Sequence, residues 1–217
     1  MSLRLLYGGT FDPVHLGHLA VARAALAASG AAQLDFLPAA DPPHRAAPGA
    51  GFDERVALLG AALAGEPGPD VGRWGVDTRE SQRKGPSYTV DTLRDWRREH
   101  GEAAPLGFVL GADAFHGLPD WHDWTALFGL AHLLVARRAG SELAALPPAL
   151  GTACAGRWSS DPAALQALPA GRVFVIDLPL RPESATAVRQ ALGNASALAE
   201  GLPAAVAAVI AARGLYR

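Results

Sequence analysis

The chain has 217 residues, half of them hydrophobic, with 19 Lys and Arg against 21 Asp and Glu. That is enough apolar material for one sizeable core, and a net charge of −2 excludes the basic field by which a protein grips nucleic acid or an anionic membrane. Cys154 is the sole cysteine, which excludes an intrachain disulfide and a zinc site built on several thiolates. Lys84 is the sole lysine, so lysine chemistry has one position available to it. The opening apolar run is interrupted by Arg4 and ended by glycines, too short for a secretory or spanning segment, and a reducing cytoplasm is the expected compartment. The abundance of Ala, Gly and Pro is a compositional bias and carries no functional weight.

In chain order, Leu3–Tyr7 is a short apolar strand ending at Gly8-Gly9, and Leu16–Ala28 follows with alanine and leucine at helical spacing. Gln33–Leu37 is a second strand, closed by the turn-rich Pro38–Pro43, and Phe52–Leu63 a second helix. Arg73–Val76 is a strand candidate. Ser87–Arg98 is a helix with Ser87 as N-cap and Val90, Leu93 and Trp96 on one face. Leu106–Leu110, Leu133–Ala136 and Val173–Ile176 are further unbroken apolar runs of strand length, whereas Ala139–Ala170 has weak periodicity and is expected to be an irregular excursion.

Strands without in/out alternation, separated by helices, imply a doubly wound α/β fold whose mostly parallel sheet is covered on both faces. The whole of residues 1–217 is expected to form one domain, with 184–217 a small C-terminal helical part. In such a sheet ligands bind beyond the carboxyl ends of the strands. Those ends put Gly8–His18, Pro38–Arg45, Gly111–Asp113, Arg137-Arg138 and Leu178–Arg189 on one rim.

The strongest local signal is Gly8-Gly9-Thr10-Phe11-Asp12-Pro13-Val14-His15-Leu16-Gly17-His18. Glycines after a strand admit a ligand close to the backbone, and the helix start behind them offers N–H groups and a positive dipole end to phosphate. His15 and His18, one helical turn apart, share a face and are placed to meet phosphoryl oxygens as charge builds on them. The dinucleotide fingerprint and the P-loop are both excluded, since neither the glycine spacing nor a Lys-Ser/Thr pair is present. Taken alone, a His-x-x-His more often caps or lines a helix. A zinc pair is disfavoured because nothing nearby completes a ligand set, and no metal-ligand set is assigned.

A second signal is Ser184-Ala185-Thr186-Ala187-Val188-Arg189. Ser184 is a natural N-cap, and Arg189, about one turn in, leans back toward any anion held at that helix start. In isolation such a segment is usually a cap followed by a solvated arginine.

Together the two motifs resemble the nucleotidyltransferase superfamily marked by His-x-Gly-His and Ser-x-Thr-x-x-Arg. More narrowly the chain resembles the nicotinate-nucleotide adenylyltransferases, through Pro42-Pro43-His44-Arg45, Gly85–Leu93, Phe108–Asp113, Trp121-His122, Ala131–Arg138 and Gly214-Leu215-Tyr216. Only Ala139–Ala170 is unmatched. The resemblance implies a Rossmann-like nucleotidyltransferase fold and in-line attack of the nicotinate mononucleotide 5′-phosphate on the α-phosphorus of ATP. Deamido-NAD and pyrophosphate are the implied products, with no covalent enzyme intermediate. It also implies roles: Gly8, Gly9, Thr10 and Phe11 along ATP, His15 and His18 at its phosphates, Ser184, Thr186 and Arg189 at the departing pyrophosphate. Gly111 and Asp113 would serve the adenosine side. Thr89 and the Trp121-His122 region would hold the nicotinate ring, Arg137 would add positive charge nearby, and His44 with Arg45 would take the mononucleotide phosphate. Magnesium would arrive bound to the ATP phosphates, with few protein ligands.

Two positions depart from the family pattern. Glu183 stands where an aliphatic residue is frequent, and His122 stands where a tyrosine is, which bears on ring stacking and on choice between acid and amide acceptors. Rival readings are a sister transferase acting on phosphopantetheine or nicotinamide mononucleotide, and a nucleotide sensor without turnover. Trp121 and the Gly85–Leu93 block speak against phosphopantetheine, which has no ring to stack. Retention of His18 and Arg189 speaks against the sensor. Oligomeric state has no sequence signal.

Overall fold

The computed structural model describes residues 2–42, 47–66, 72–138, 143, 145–178, 185–193 and 201–216. In chain order the elements are β1 (Arg4–Gly9), α1 (Leu16–Ser29), β2 (Gln33–Pro38), α2 (Phe52–Ala64), β3 (Trp74–Val76) and α3 (Thr89–His100). They continue with β4 (Leu106–Gly111), α4 (Ala112–His116), α5 (Leu127–Leu130), β5 (His132–Arg138), α6 (Pro148–Cys154) and β6 (Trp158–Ser159). The last are α7 (Pro162–Ala167), β7 (Val173–Leu178), α8 (Ala185–Gly193) and α9 (Ala204–Arg213). The seven strands form a single sheet in the order β3-β2-β1-β4-β5-β7-β6, and every pair is parallel.

The apolar runs become parallel strands because both of their faces are covered. Alternate residues of β1 feed two separate cores: Leu5 and Tyr7 join one with α1, α2 and α9, while Leu6 joins the other with α3, α5 and α6. The β1–β4 register pairs Leu6 with Phe108 and Tyr7 with Val109, so each face continues across the strands. The chain order reverses at β1, with β2 on one side and β4 on the other. A crevice opens at that point, between the ends of two strands whose connections leave toward opposite faces.

The Ala139–Ala170 stretch differs from the irregular excursion expected of it, since its described part carries α6, the edge strand β6 and α7. Leu150 and Leu165 anchor the two helices in the two cores. Ser87 also differs, because Tyr88 holds the N-cap position of α3. The Ser87 hydroxyl instead accepts from the backbone N–H groups of Ala40 and Asp41, at 3.1 and 3.0 Å, and ties the turn after β2 to the entry of α3.

Two buried side chains close the opposite end of the sheet. Arg97 donates to the carbonyls of Ala104, Leu130 and Pro169 at 2.5 to 2.8 Å. His132, fully buried at the start of β5, accepts from the Arg172 N–H through Nδ1 and so donates through Nε2 to the Leu168 carbonyl, 2.9 Å away. Cys154 is buried, and burial pushes its thiol up to about 11, which makes it an inert core residue. Among the described residues no helix is long and apolar enough to cross a membrane.

Candidate active site

β1 delivers Gly8 and Gly9 to the rim, and each faces an aromatic ring. A Cβ on Gly8 would lie 2.6 Å from the Phe108 ring, and one on Gly9 would lie 2.9 Å from the Phe11 ring. The glycines are therefore required by the protein's own packing on both faces of the sheet, besides any ligand approach. Phe11 is buried, with a φ of 49° in the left-handed region that a bulky residue seldom occupies. Its ring meets Tyr7, Phe36 and His18 edge-on, at centroid distances of 5.4, 5.5 and 5.0 Å. Packing holds the turn in this conformation, with the whole Phe11 residue enclosed.

His15 is the N-cap residue of α1 and is buried, while His18 is half-buried. Their rings stack at 3.7 Å, and the His15 N–H donates to Nδ1 of His18 at 3.2 Å. That bond needs a lone pair on Nδ1, so the neutral His18 ring carries its proton on Nε2 and is a donor there. The helix start, its first-turn N–H groups and a fixed imidazole donor thus share one spot.

Arg189, on α8, reaches the same loop from 177 residues away: its Nη1 donates to the Asp12 carbonyl at 2.6 Å and lies 3.7 Å from the Asp12 carboxylate. Arg189 therefore meets the loop that runs into the histidine pair, three residues before His15. Thr186 is exposed on the first turn of α8. Ser184 and Glu183 lie outside the described residues, as do His44 and Arg45.

Sequence spacing alone did not single out the group that joins these parts. Asp12, 4% exposed, accepts from the N–H groups of Gly49 and Ala50, at 2.7 and 3.1 Å, and from the Tyr216 hydroxyl at 2.8 Å. Arg55, buried beside it, donates to the carbonyls of Thr10 and Ala50 at 2.8 and 3.2 Å. Burial lowers the pKa of Arg55, and Asp12 is the main influence opposing that fall. Asp12 lies inside the Gly8–His18 signal and Tyr216 in the Gly214–Tyr216 match, but no local pattern joins them, since the side-chain partners of Asp12 lie between 37 and 204 positions away.

On the other face, Trp121 stands edge-on to Phe108 at 6.5 Å, one side chain removed from Gly8. The exposed His122 ring overlies Tyr88 at 4.4 Å, next to the half-buried Thr89 that begins α3. An exposed ion pair, Arg94 to Asp123 at 2.5 Å, fastens this aromatic loop to α3. Glu80 and Thr92, 2.8 Å apart and both buried, support α3 from beneath. Gly111 ends β4 and Asp113 opens α4, both exposed at the rim. The β1–β4 pairing ends at Tyr7–Val109, two residues short of Gly9 and Gly111. Arg137 is on the Trp121 face, but Asp177 of β7 already pairs with it at 2.7 Å, so its charge is shared rather than committed to a ligand.

A parallel sheet with its order reversed at β1, a glycine turn running into a helix start capped by a stacked histidine pair, and an arginine bonded to that turn define a nucleotide-binding protein of the phosphate-transferring kind. The cytidylyltransferase-like family model matches residues 6–191. A probable nicotinate-nucleotide adenylyltransferase of Stenotrophomonas maltophilia is 52% identical over 100% of this chain and 98% of its own length. One from Xylella fastidiosa is 44% identical over 99% and 96%. The solved Plasmodium falciparum nicotinic acid mononucleotide adenylyltransferase, complexed with NaAD, superposes with a TM-score of 0.78 over 100% of this chain and 98% of that one. At 14% identity that likeness speaks for the fold. The chain belongs to the cytidylyltransferase-like superfamily and, within it, to the nicotinate-nucleotide adenylyltransferase family.

Proposed function

We propose that the protein transfers AMP from ATP to nicotinate mononucleotide, releasing pyrophosphate and forming deamido-NAD in NAD biosynthesis. The observation that supports this reading is the hydrogen bond from Arg189 to the Asp12 loop, immediately before the stacked histidine pair. The acceptor phosphate attacks the α-phosphorus in line, a bond forms from its oxygen to phosphorus, and the bond to the β-phosphate oxygen breaks. Direct displacement of this kind can run on positioning and charge stabilisation, and among the described residues of the clamp none is an activated nucleophile.

In this reading Gly8, Gly9 and Thr10 run along ATP, and the backbone of Phe11 borders it. His15 fixes His18, and His18 donates through Nε2 to phosphoryl oxygens as their charge grows. Arg189 offers a guanidinium to the departing pyrophosphate, with Thr186 and Ser184 at the same helix start. Gly111 and Asp113 serve the adenosine side. Trp121, with Thr89 and His122, receives the nicotinate ring, and His44, Arg45 and Arg137 balance the acceptor's anionic groups.

The residues fit a magnesium ion that arrives on phosphate oxygens rather than one held in a protein cage. Asp12 is already taken up by N–H and O–H donors, and among the described residues no three His, Cys, Asp or Glu gather as a ligand set. When bound, such an ion neutralises phosphate charge.

The test is a side-by-side rate comparison with ATP, magnesium and either nicotinate or nicotinamide mononucleotide. Pyrophosphate release is expected with the acid acceptor and more slowly with the amide. Equal or faster turnover of the amide would overturn the substrate assignment.

A further inference from the structure

Three stretches far apart in sequence meet at Asp12. Its carboxylate receives the Gly49 and Ala50 N–H groups and the Tyr216 hydroxyl, and its carbonyl receives Arg189. Tyr216 is built into this position. Its ring lies against Gly49, where an added Cβ would come within 3.3 Å of it, and its backbone φ of 61° is in the left-handed region. Gly214 turns the chain just before it, with a φ of 63° at the C-cap of α9. A tyrosine held in that conformation by its surroundings points to a specific use.

We propose that Tyr216 is a positioning residue for Arg189: by holding the Asp12 side chain, its hydroxyl fixes the carbonyl on which the guanidinium rests. Anchoring the carboxylate at three donors restricts the movement of Asp12, the residue whose carbonyl the guanidinium holds. Arg189 is over a third exposed and enters from a separate helix, so this carbonyl contact at 2.6 Å sets where its charge stands. Burial, followed by the hydrogen bond to Asp12, raises the Tyr216 pKa far above its usual value, which keeps the hydroxyl a donor at every working pH.

The inference rests on the adenylyl-transfer reading, and a cycle of variants separates the two. Wild type, Tyr216→Phe, Arg189→Ala and the double variant are compared in kcat for pyrophosphate release and in Kd for α,β-methylene ATP. Tyr216→Phe is expected to lower kcat roughly tenfold, the scale of one hydrogen bond to a charged group. It should weaken analogue binding several-fold and leave the KM of the acceptor within about twofold. In the Arg189→Ala background the same change should cost less than about twofold, because the hydroxyl acts through the missing guanidinium. Wild-type kcat and Kd in Tyr216→Phe, or losses that multiply in the double variant, would overturn the proposal even where thermal stability falls. Should Tyr216→Phe fail to fold, Gly49→Ala, whose Cβ would press on the Tyr216 ring at 3.3 Å, runs the same cycle with the same two outcomes. If the wild-type protein released no pyrophosphate while the binding cycle kept its coupling, the activity would be refuted and the role of Tyr216 retained.

Discussion

The two sides of the crevice are held by different physics. The nucleotide side is fixed by buried bonds: Asp12 is nearly inaccessible, Arg55 fully enclosed, and the Phe11 turn locked among aromatic rings. The acceptor side is fixed at the surface, by a Tyr88–His122 overlap and an Arg94–Asp123 pair whose side chains are 42% and 39% exposed. A buried charge network that loses a member leaves the others unsatisfied, whereas an exposed pair contributes about 0 to 1 kcal/mol. Under the proposed function, the chemistry belongs to the rigid side and the choice of acceptor to the adjustable side. Substitutions on the first should act on kcat and folding, and on the second on KM and selectivity.

The largest expected effect is that of His18→Ala. Loss of the Nε2 donor should lower kcat by roughly a hundredfold or more, and loss of the Nδ1 acceptor for the His15 N–H should cost about 1 kcal/mol of stability. A twofold fall would demote His18 to a helix-capping residue and erase the contrast between the sides. Asp12→Ala should destabilise the fold by about 2 to 4 kcal/mol, because two backbone N–H groups and a hydroxyl lose their acceptor. Denaturant unfolding reads this directly, and a change below about 0.5 kcal/mol would show that the network is dispensable.

On the acceptor side, Trp121→Ala should raise the acceptor KM by roughly tenfold while kcat stays within about threefold, as expected for loss of a stacking surface. An unchanged KM would move the ring elsewhere. Arg94→Ala, which frees the Trp121 loop from α3, should raise the same KM by only about two- to threefold, in keeping with the small worth of exposed pairs.

His132 gives a control outside both sides. Burial, opposed in part by its bond to Leu168, lowers its pKa from the ordinary 6.5. The unfolded ring takes up a proton near pH 6.5 and the folded ring resists it, so the unfolded state binds more protons below that pH. Stability should fall as the pH drops through about 6.5 and go on falling to the lower folded pKa. His132→Asn should flatten that slope in melts between pH 7.5 and 5.5, and an unchanged slope would place the acid sensitivity elsewhere.

Much of the fold was legible in the sequence because strands buried on both faces, such as Leu133–Ala136 and Val173–Ile176, are unbroken apolar runs between polar or turn residues. The α6–β6–α7 segment was not, since alanine is small and neutral in pattern, and a strand of two residues, Trp158–Ser159, carries no period. Ser87 had the right chemistry for a cap, yet the turn after β2 claimed its oxygen. Within the site, the local motif Gly8–His18 announced itself by spacing. The Asp12–Arg55–Tyr216 network did not, because an aspartate inside a glycine turn, an arginine on an amphipathic helix and a late tyrosine acquire a shared purpose only when folding joins them.

Everything turns on one triphosphate being gripped by groups from distant parts of the chain, and a crystal structure with α,β-methylene ATP and magnesium tests it most directly. The expected result places phosphate oxygens within hydrogen-bond distance of both His18 Nε2 and the Arg189 guanidinium. A triphosphate that touches one of them and lies clear of the other would contradict the shared clamp.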